Sequence, residues 1–199
     1  MEKEILTNDI QTFMGIVDEP TLNEMWNTLT SVDFDWHYLQ EVTWENSKKP
    51  SKPTPGFAHL LFHRDTGKAS PYLDMFKPVL DNLLFKADMK LDEVIRMRLG
   101  FLMNTRYNFP SQSYAHNEPH IDFEEPHYTA CFYLNDCDGE TVIFHQREEA
   151  ERYQVAEKNM PLKNSAVLFD GGRYHASTCP KILDTRIVLT MNFKATRNV

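Results

Sequence analysis

The stretch HIDFEEPHYTACFYLND (120–136) places His120 and Asp122 two positions apart, directly ahead of an apolar, β-branched and aromatic run. On extended backbone, residues i and i+2 point to one face, roughly 6 to 7 Å apart along the chain. An imidazole and a carboxylate so placed form a claw for a metal ion. A third ligand is available in His175, within FDGGRYHAS after a Gly-Gly turn, and Arg186 follows at the head of the last β-type run. Two histidines and one carboxylate on one face of an octahedral ion leave three positions open, the arrangement suited to non-haem Fe(II) with a bidentate cosubstrate and dioxygen. A structural zinc site would be closed by a fourth protein ligand.

Elements that position these residues are legible in the periodicity. Thr21 and Glu24, followed by Leu22, Met25, Trp26 and Leu29, read as a capping box on an amphipathic helix. SKKPSKPTPG (47–56), with Pro50, Pro53 and Pro55, reads as a surface loop. Ser70 and Pro71 then offer an N-cap and a first-turn proline for a second helix carrying Leu73, Phe76, Leu80, Leu83 and Leu84, with Pro78 as a kink. After residue 93 the period changes to two. IRMRLGFLMN (95–104), HYTACFYL (127–134), ETVIF (140–144), SAVLF (165–169) and RIVLTMNF (186–193) are short β-type runs separated by turn signals. Helices first and strands afterwards, without βαβ alternation, predict an α+β protein: a two-sheet jelly roll braced by N-terminal helices.

Global composition narrows the partners. With 29 acidic against 21 basic residues the formal charge is −8, so a polyanion is repelled overall and nucleic acid is disfavoured, although Lys48, Lys49 and Lys52 could form a local patch. No apolar run is long enough to span a membrane, and MEKEILTNDI lacks the charge and hydropathy order of a secretory leader. A cytoplasmic protein is expected. Cys131, Cys137 and Cys179 are odd in number and form no CxxC, which predicts reduced thiols rather than a disulfide framework or zinc knuckle.

His120, Asp122, His175 and Arg186, in that order and with those gaps, resemble the H-x-D…H…R pattern of the 2-oxoglutarate- and Fe(II)-dependent oxygenases. The likeness runs through TACFYLNDCDGETVIF (129–144) and KNSAVLFDGGRYHAS (163–177), is similar to the prolyl 4-hydroxylase-like branch with its short bacterial and viral members, and covers roughly residues 95–193. It implies one domain over 1–199, with helical support about 1–92 and a cupin-like double-stranded β-helix about 93–195. It also implies a hydroxylase that couples decarboxylation of 2-oxoglutarate to oxygen insertion into a C–H bond. Fe(II) would be held by His120, Asp122 and His175, with 2-oxoglutarate and O2 as cosubstrates and ascorbate as an optional reductant. Arg186 would grip the far carboxylate of 2-oxoglutarate with its two-pronged fork. Thr190, on the same strand face as Arg186, and Tyr133, in the family's Tyr-Leu-Asn position, would add hydroxyl contacts. Asp122 separates this chain from halogenating members, which carry a small residue there. TRYNFPSQSYAHNEP (105–119) departs from the tyrosine-bearing strand of true prolyl hydroxylases, leaving Tyr107 and Tyr114 as alternatives for that tyrosine.

Duller readings accompany several of these residues. His120 and Asp122 alone would make an ordinary hydrogen-bonded pair, and Tyr133 an ordinary core tyrosine with a satisfied hydroxyl. HNEPH (116–120) is not HExxH, and Pro119 would break the helix a zincin needs. His127 and His145 are read as surface or supporting residues. Arg96 and Arg98 share a strand face, either at a substrate mouth or merely solvated. A cupin-like metal enzyme without 2-oxoglutarate would have no use for Arg186, and a non-catalytic jelly-roll binding module would need none of the four. The substrate, whether peptidyl side chain, small molecule or nucleobase, and the oligomeric state are not encoded in any motif.

Overall fold

The computed structural model describes residues 10–42, 54–104 and 116–198. Strand β1 (Ile10–Met14) leads into helix α1 (Glu19–Leu29), followed by β2 (His37–Leu39), β3 (Gly56–His63), β4 (Lys68–Ala69), helix α2 (Leu73–Lys86) and the long β5 (Met89–Met103). Next come β6 (Tyr128–Tyr133), β7 (Thr141–Phe144), β8 (Val155–Asn159), β9 (Ser165–Asp170), β10 (His175–Ser177) and β11 (Thr185–Arg197). All pairings are antiparallel. The major sheet has the order β1-β9-β6-β11-β5-β3-β2, with β4 on β3; the minor sheet has the order β10-β7-β8. This is the expected α+β jelly roll with helices on one side.

Period-two alternation on β11 shows how the layers separate. Ile187, Leu189, Met191 and Phe193 pack in the core that includes Leu22 and Met25 of α1 and Phe76, Leu80 and Leu83 of α2. Val188, between them, joins Cys131, Tyr133, Val167 and Phe169 in the smaller core beneath the minor sheet. One face of β11 thus seats the helices and the other, carrying Arg186, Thr190 and Asn192, faces the interior of the roll. Cross-strand register extends that interior face. Arg98 and Cys131 flank Thr190, and Arg96 and Thr129 flank Asn192.

Several boundaries differ from the periodicity. Helix α1 starts before Thr21, because Asp18 is the N-cap, accepting from Thr21 N at 2.8 Å, and Pro20 is tolerated in the first turn. Helix α2 starts after Ser70 and Pro71; Ser70 Oγ instead accepts from Tyr72 N at 3.2 Å and pairs with His59 Nε2 at 2.7 Å. The segment before residue 93, expected as helical support, also supplies strands: β3 extends the sheet beyond β5, and β1 closes the opposite edge on β9. Periodicity missed β3 because GFAHLLFH carries apolar residues on both faces, with only His59 and His63 interrupting one of them, and lies beside the proline-rich loop. Of that loop only residues 54–56 are described; Lys48, Lys49, Lys52, Tyr107 and Tyr114 lie outside the described residues. Cys131, Cys137 and Cys179 form no disulfide. Among the described residues, no helix is long and apolar enough to cross a membrane.

Candidate metal and cosubstrate site

His120, Asp122 and His175 converge. Their ligand atoms all lie within 4.8 Å of one another, and His175 Nε2 is 3.6 Å from Asp122 Oδ2. The convergence is built by backbone: His120 and His175 form a reciprocal antiparallel bridge, N to O at 3.0 and 2.9 Å, which carries the 120 segment onto the end of β10. Each imidazole is then oriented by a carbonyl. His120 Nδ1 donates to Glu118 O at 3.1 Å and His175 Nδ1 to Arg173 O at 3.2 Å. A carbonyl only accepts, so Nδ1 carries the proton and Nε2 of a neutral ring keeps its lone pair. Burial, and after it the neighbouring His175, push His120 down to about 4. The two Nε2 atoms and a carboxylate oxygen therefore face one point. This donor set fits a divalent cation of the 2-His-1-carboxylate class.

Asp122 is fixed on both oxygens. Oδ1 accepts from Arg96 Nη2 at 2.6 Å, in a pair whose side chains are 2% and 6% exposed, and Oδ2 accepts from Asn192 Nδ2 at 2.8 Å. Burial alone would raise this carboxyl, but the Arg96 guanidinium, with the nearby imidazoles, outweighs it and holds it well below the usual range. The chain of bonds continues outward. Asn192 Oδ1 accepts from Arg96 Nε at 3.2 Å, and Asn192 Nδ2 also donates to Thr129 Oγ1 at 3.1 Å. The Thr129 hydroxyl in turn meets His127 Nε2 at 3.2 Å, while His127 Nδ1 donates to Glu125 O at 2.7 Å. Gly171 is required here, because a Cβ at that position would lie 2.1 Å from His127 Nε2. The 120–127 segment is also tied from outside. Phe123 lies under Arg96, 5.0 Å from ring centroid to Cζ, and Glu125 is bound at 2.6 Å by both Arg64 and Lys194.

The same cavity reaches Arg186, which is 4% exposed. Its Nε donates to Gly139 O at 2.9 Å and its Nη2 to Thr141 Oγ1 at 2.8 Å, with the Tyr133 ring 5.7 Å from Cζ. Gly139 permits this approach; a Cβ there would lie 2.6 Å from Thr178 O and 3.2 Å from Arg186 Cδ. Among the described residues no carboxylate pairs with Arg186. A buried guanidinium surrounded by neutral acceptors is a receptor for an anion. Thr190 lines the cavity with it, as alternation predicts. Tyr133 is fully buried and donates to Thr141 Oγ1 at 2.8 Å, so Thr141, which lines the cavity, stands between it and the open space. Cys131, also in the lining, is pushed up to about 11 chiefly by burial and is a neutral thiol wall.

Sequence reasoning brought together His120, Asp122, His175, Arg186 and Thr190, and missed Thr141, Asn192 and the role of Arg96. The solvated alternative for Arg96 is overturned by its burial against Asp122. The i, i+4 alternation linking Arg186, Thr190 and, two further on, Asn192 was the available signal for Asn192. His127 is buried and supports Asn192 through Thr129, whereas His145 is exposed.

No family model and no curated protein sequence matches this chain. Solved structures do. A 2OG-Fe(II) oxygenase family oxidoreductase from Burkholderia pseudomallei superposes with a TM-score of 0.64 at 9% identity, covering 94% of this chain and 86% of the other. A prolyl hydroxylase from Trichoplax adhaerens, solved with a hypoxia inducible factor peptide, gives 0.62 at 12% identity over 94% and 84%. A Pseudomonas putida prolyl-4-hydroxylase gives 0.57 at 12% identity over 94% of both chains. The chain therefore has the jelly-roll fold of the 2-oxoglutarate/Fe(II) oxygenases, prolyl hydroxylases included.

Proposed function

We propose that this chain is an Fe(II)- and 2-oxoglutarate-dependent dioxygenase, with residues 1–199 as one oxygenase unit, that hydroxylates a C–H bond of a peptidyl or small-molecule substrate. One observation carries the reading: the His120–Asp122–His175 cluster and a buried, carboxylate-free Arg186 line a single cavity. A metal-binding module needs only the first, and a cupin-like enzyme without 2-oxoglutarate has no use for the second.

His120 Nε2, His175 Nε2 and one Asp122 oxygen would hold Fe(II), which when bound supplies activation of O2 and a Lewis-acid grip on the 2-oxo acid. Arg186 would take the distal carboxylate. Because Thr141 Oγ1 already accepts from Arg186 and Tyr133, its own hydrogen is available to the same anion, and Thr190 offers a further hydroxyl. Tyr133 then acts through Thr141. Val188 and Cys131 cover the methylene stem and keep water from it. In the balanced reaction one oxygen atom enters the substrate C–H bond, the other enters succinate, and CO2 leaves. O2 and, as an optional reductant, ascorbate belong to this reading.

The test is succinate formation from 2-oxoglutarate with Fe(II), alongside titration of 2-oxoglutarate into Mn(II)-loaded protein. Saturable 2-oxoglutarate binding that requires Mn(II), with turnover abolished in His120→Ala and His175→Ala while circular dichroism is preserved, is the expected result. Mn(II) binding without 2-oxoglutarate binding would leave a metal enzyme of another kind, and the absence of both would leave a binding module.

A further inference from the structure

Asp122 stands on a segment that its own backbone does little to hold. Behind it the reciprocal bridge ties His120 to His175, and ahead of it Gly171 N donates to His127 O at 2.9 Å. Between those two rungs residues 121–126 run through bends and make no backbone-to-backbone hydrogen bond among the described residues. Side chains hold them instead. Asp122 is taken by Arg96 and Asn192, Phe123 lies under Arg96, and Glu125 enters a closed ring of four charges. Arg64 Nη2 reaches Glu125 Oε1 and Lys194 Nζ reaches Glu125 Oε2, both at 2.6 Å, and the same two cations reach Glu93 Oε2 at 3.3 and 3.2 Å. Three corners of this ring belong to the major sheet or its margin. Glu93 on β5 and Lys194 on β11 are register partners, and Arg64, directly after β3, donates its backbone N–H to Ile95 O of β5 at 2.9 Å. Glu125 is the corner off the sheet, so the ring fastens the ligand segment to it. Strand β11 holds that segment at two places, since Asn192 meets Asp122 and Lys194, two residues on, meets Glu125. With side chains 29% to 37% exposed, the ring stays within reach of dissolved salt.

We infer that Glu125 is a positioning residue for the metal, and that the Arg64–Glu93–Lys194–Glu125 ring makes metal affinity depend on ionic strength. This rests on the metal site of the dioxygenase reading and concerns the regulation of that site. A single exposed ion pair contributes little, but two charge-assisted bonds to one carboxylate, from cations that also share Glu93, form a network of defined geometry. The tether continues inward. Glu125 O accepts from His127 Nδ1, which leaves His127 Nε2 as the acceptor for the Thr129 hydroxyl, and Thr129 Oγ1 accepts from the Asn192 amide that donates to Asp122. Glu125 is thus joined to Asp122 both along the chain and through Asn192. Released from the ring, residues 121–126 exchange one placement of the ligand carboxylate for several, and metal binding then has to order them.

The experiment titrates Mn(II) into full-length wild type, Glu125→Gln, Arg64→Met and Glu93→Gln at low and high salt, each protein shown by circular dichroism to be folded at the temperature used. These variants separate a tether from a mere change of field. Both glutamine variants remove a negative charge and Arg64→Met removes a positive one, so long-range electrostatics alone weakens Mn(II) binding in the first two and strengthens it in Arg64→Met. A tether gives a different pattern. At about 0.1 M salt Glu125→Gln and Arg64→Met are each expected to raise the Mn(II) dissociation constant roughly threefold or more, and Glu93→Gln to leave it within about twofold. Both losses shrink at about 1 M salt, where the Debye length falls from about 10 Å to about 3 Å. Unchanged or tighter binding by Arg64→Met, a loss in Glu93→Gln as large as that in Glu125→Gln, or losses undiminished at high salt overturn the inference. The two glutamine variants decide even if Arg64→Met fails to fold. If wild type itself does not bind Mn(II), the metal site of the dioxygenase reading fails first and this inference with it.

Discussion

Replacing Arg96 by methionine removes the cation that compensates Asp122 while keeping an unbranched apolar stem in its place. The pair is nearly closed to solvent, with side chains 2% and 6% exposed and a 2.6 Å bond. Removing one partner of such a pair leaves a buried charge and costs about 3 to 5 kcal/mol. For a chain of this size each kcal/mol moves the melting temperature by about 2 to 4 °C, so a fall of roughly 6 to 20 °C is expected. The metal distinguishes causes. A divalent cation on Asp122 replaces the lost positive charge, so the deficit should shrink markedly in saturating Mn(II), and the melting temperature of the variant should rise more with Mn(II) than that of wild type. The pH dependence has a definite sign. Because the folded carboxyl is held below its unfolded value of 3.8, the wild-type advantage is complete above that value and disappears as the pH falls through the folded one. Thermal unfolding of both proteins, with and without Mn(II), is the assay. An unchanged melting temperature would show that the pair contributes nothing, and a deficit equal in both conditions would mean that Arg96 acts by packing on Phe123 and Asn192.

Three further outcomes are expected. Arg186→Lys keeps a charge but loses the fork that spans Gly139 O, Thr141 and the anion, so 2-oxoglutarate affinity should fall roughly ten- to a hundredfold, about 1.5 to 3 kcal/mol, with Mn(II) affinity unchanged in separate titrations. Gly171→Ala drives a Cβ into His127, which should loosen the Thr129–Asn192–Asp122 chain and weaken Mn(II) binding several-fold; unchanged affinity would show that the chain does not support the ligand. Glu125 is held down to about 2 by hydrogen bonds from Arg64 and then Lys194, against an ordinary 4.5, so its contribution is complete above pH 4.5 and is lost as pH falls toward 2. Glu125→Gln should therefore differ from wild type fully above pH 4.5, with the difference shrinking away as pH falls toward 2, and less so in 1 M salt.

His120 and Asp122 were legible because they stand two apart in the chain, although Asp122 lies in a bend rather than on a strand, and His175 reaches them only through its reciprocal backbone bridge to His120. Arg186 and Thr190 were legible because period two on a strand is a property of the backbone. Ile187, Leu189 and Met191 likewise announced a face that must be covered, and helices of matching apolar period lay upstream. What the sequence by itself could not decide is which arginine meets which carboxylate. Arg96 and Arg98 are equivalent in sequence, both cationic, both on the interior face of β5. Register alone separates them, setting Arg96 beside Asn192 and Asp122 and Arg98 beside Thr190. The GFAHLLFH strand, with apolar residues on both faces, gave no clear period to read and acquired its identity only by pairing with β5. Gly171 and Gly139 have no positive φ to explain them; each is glycine because an atom from a distant part of the chain, the His127 ring at Gly171 and the Thr178 carbonyl at Gly139, occupies the space of its Cβ. Such close approaches are set by tertiary packing, which brings together atoms whose separation along the chain carries no local signal.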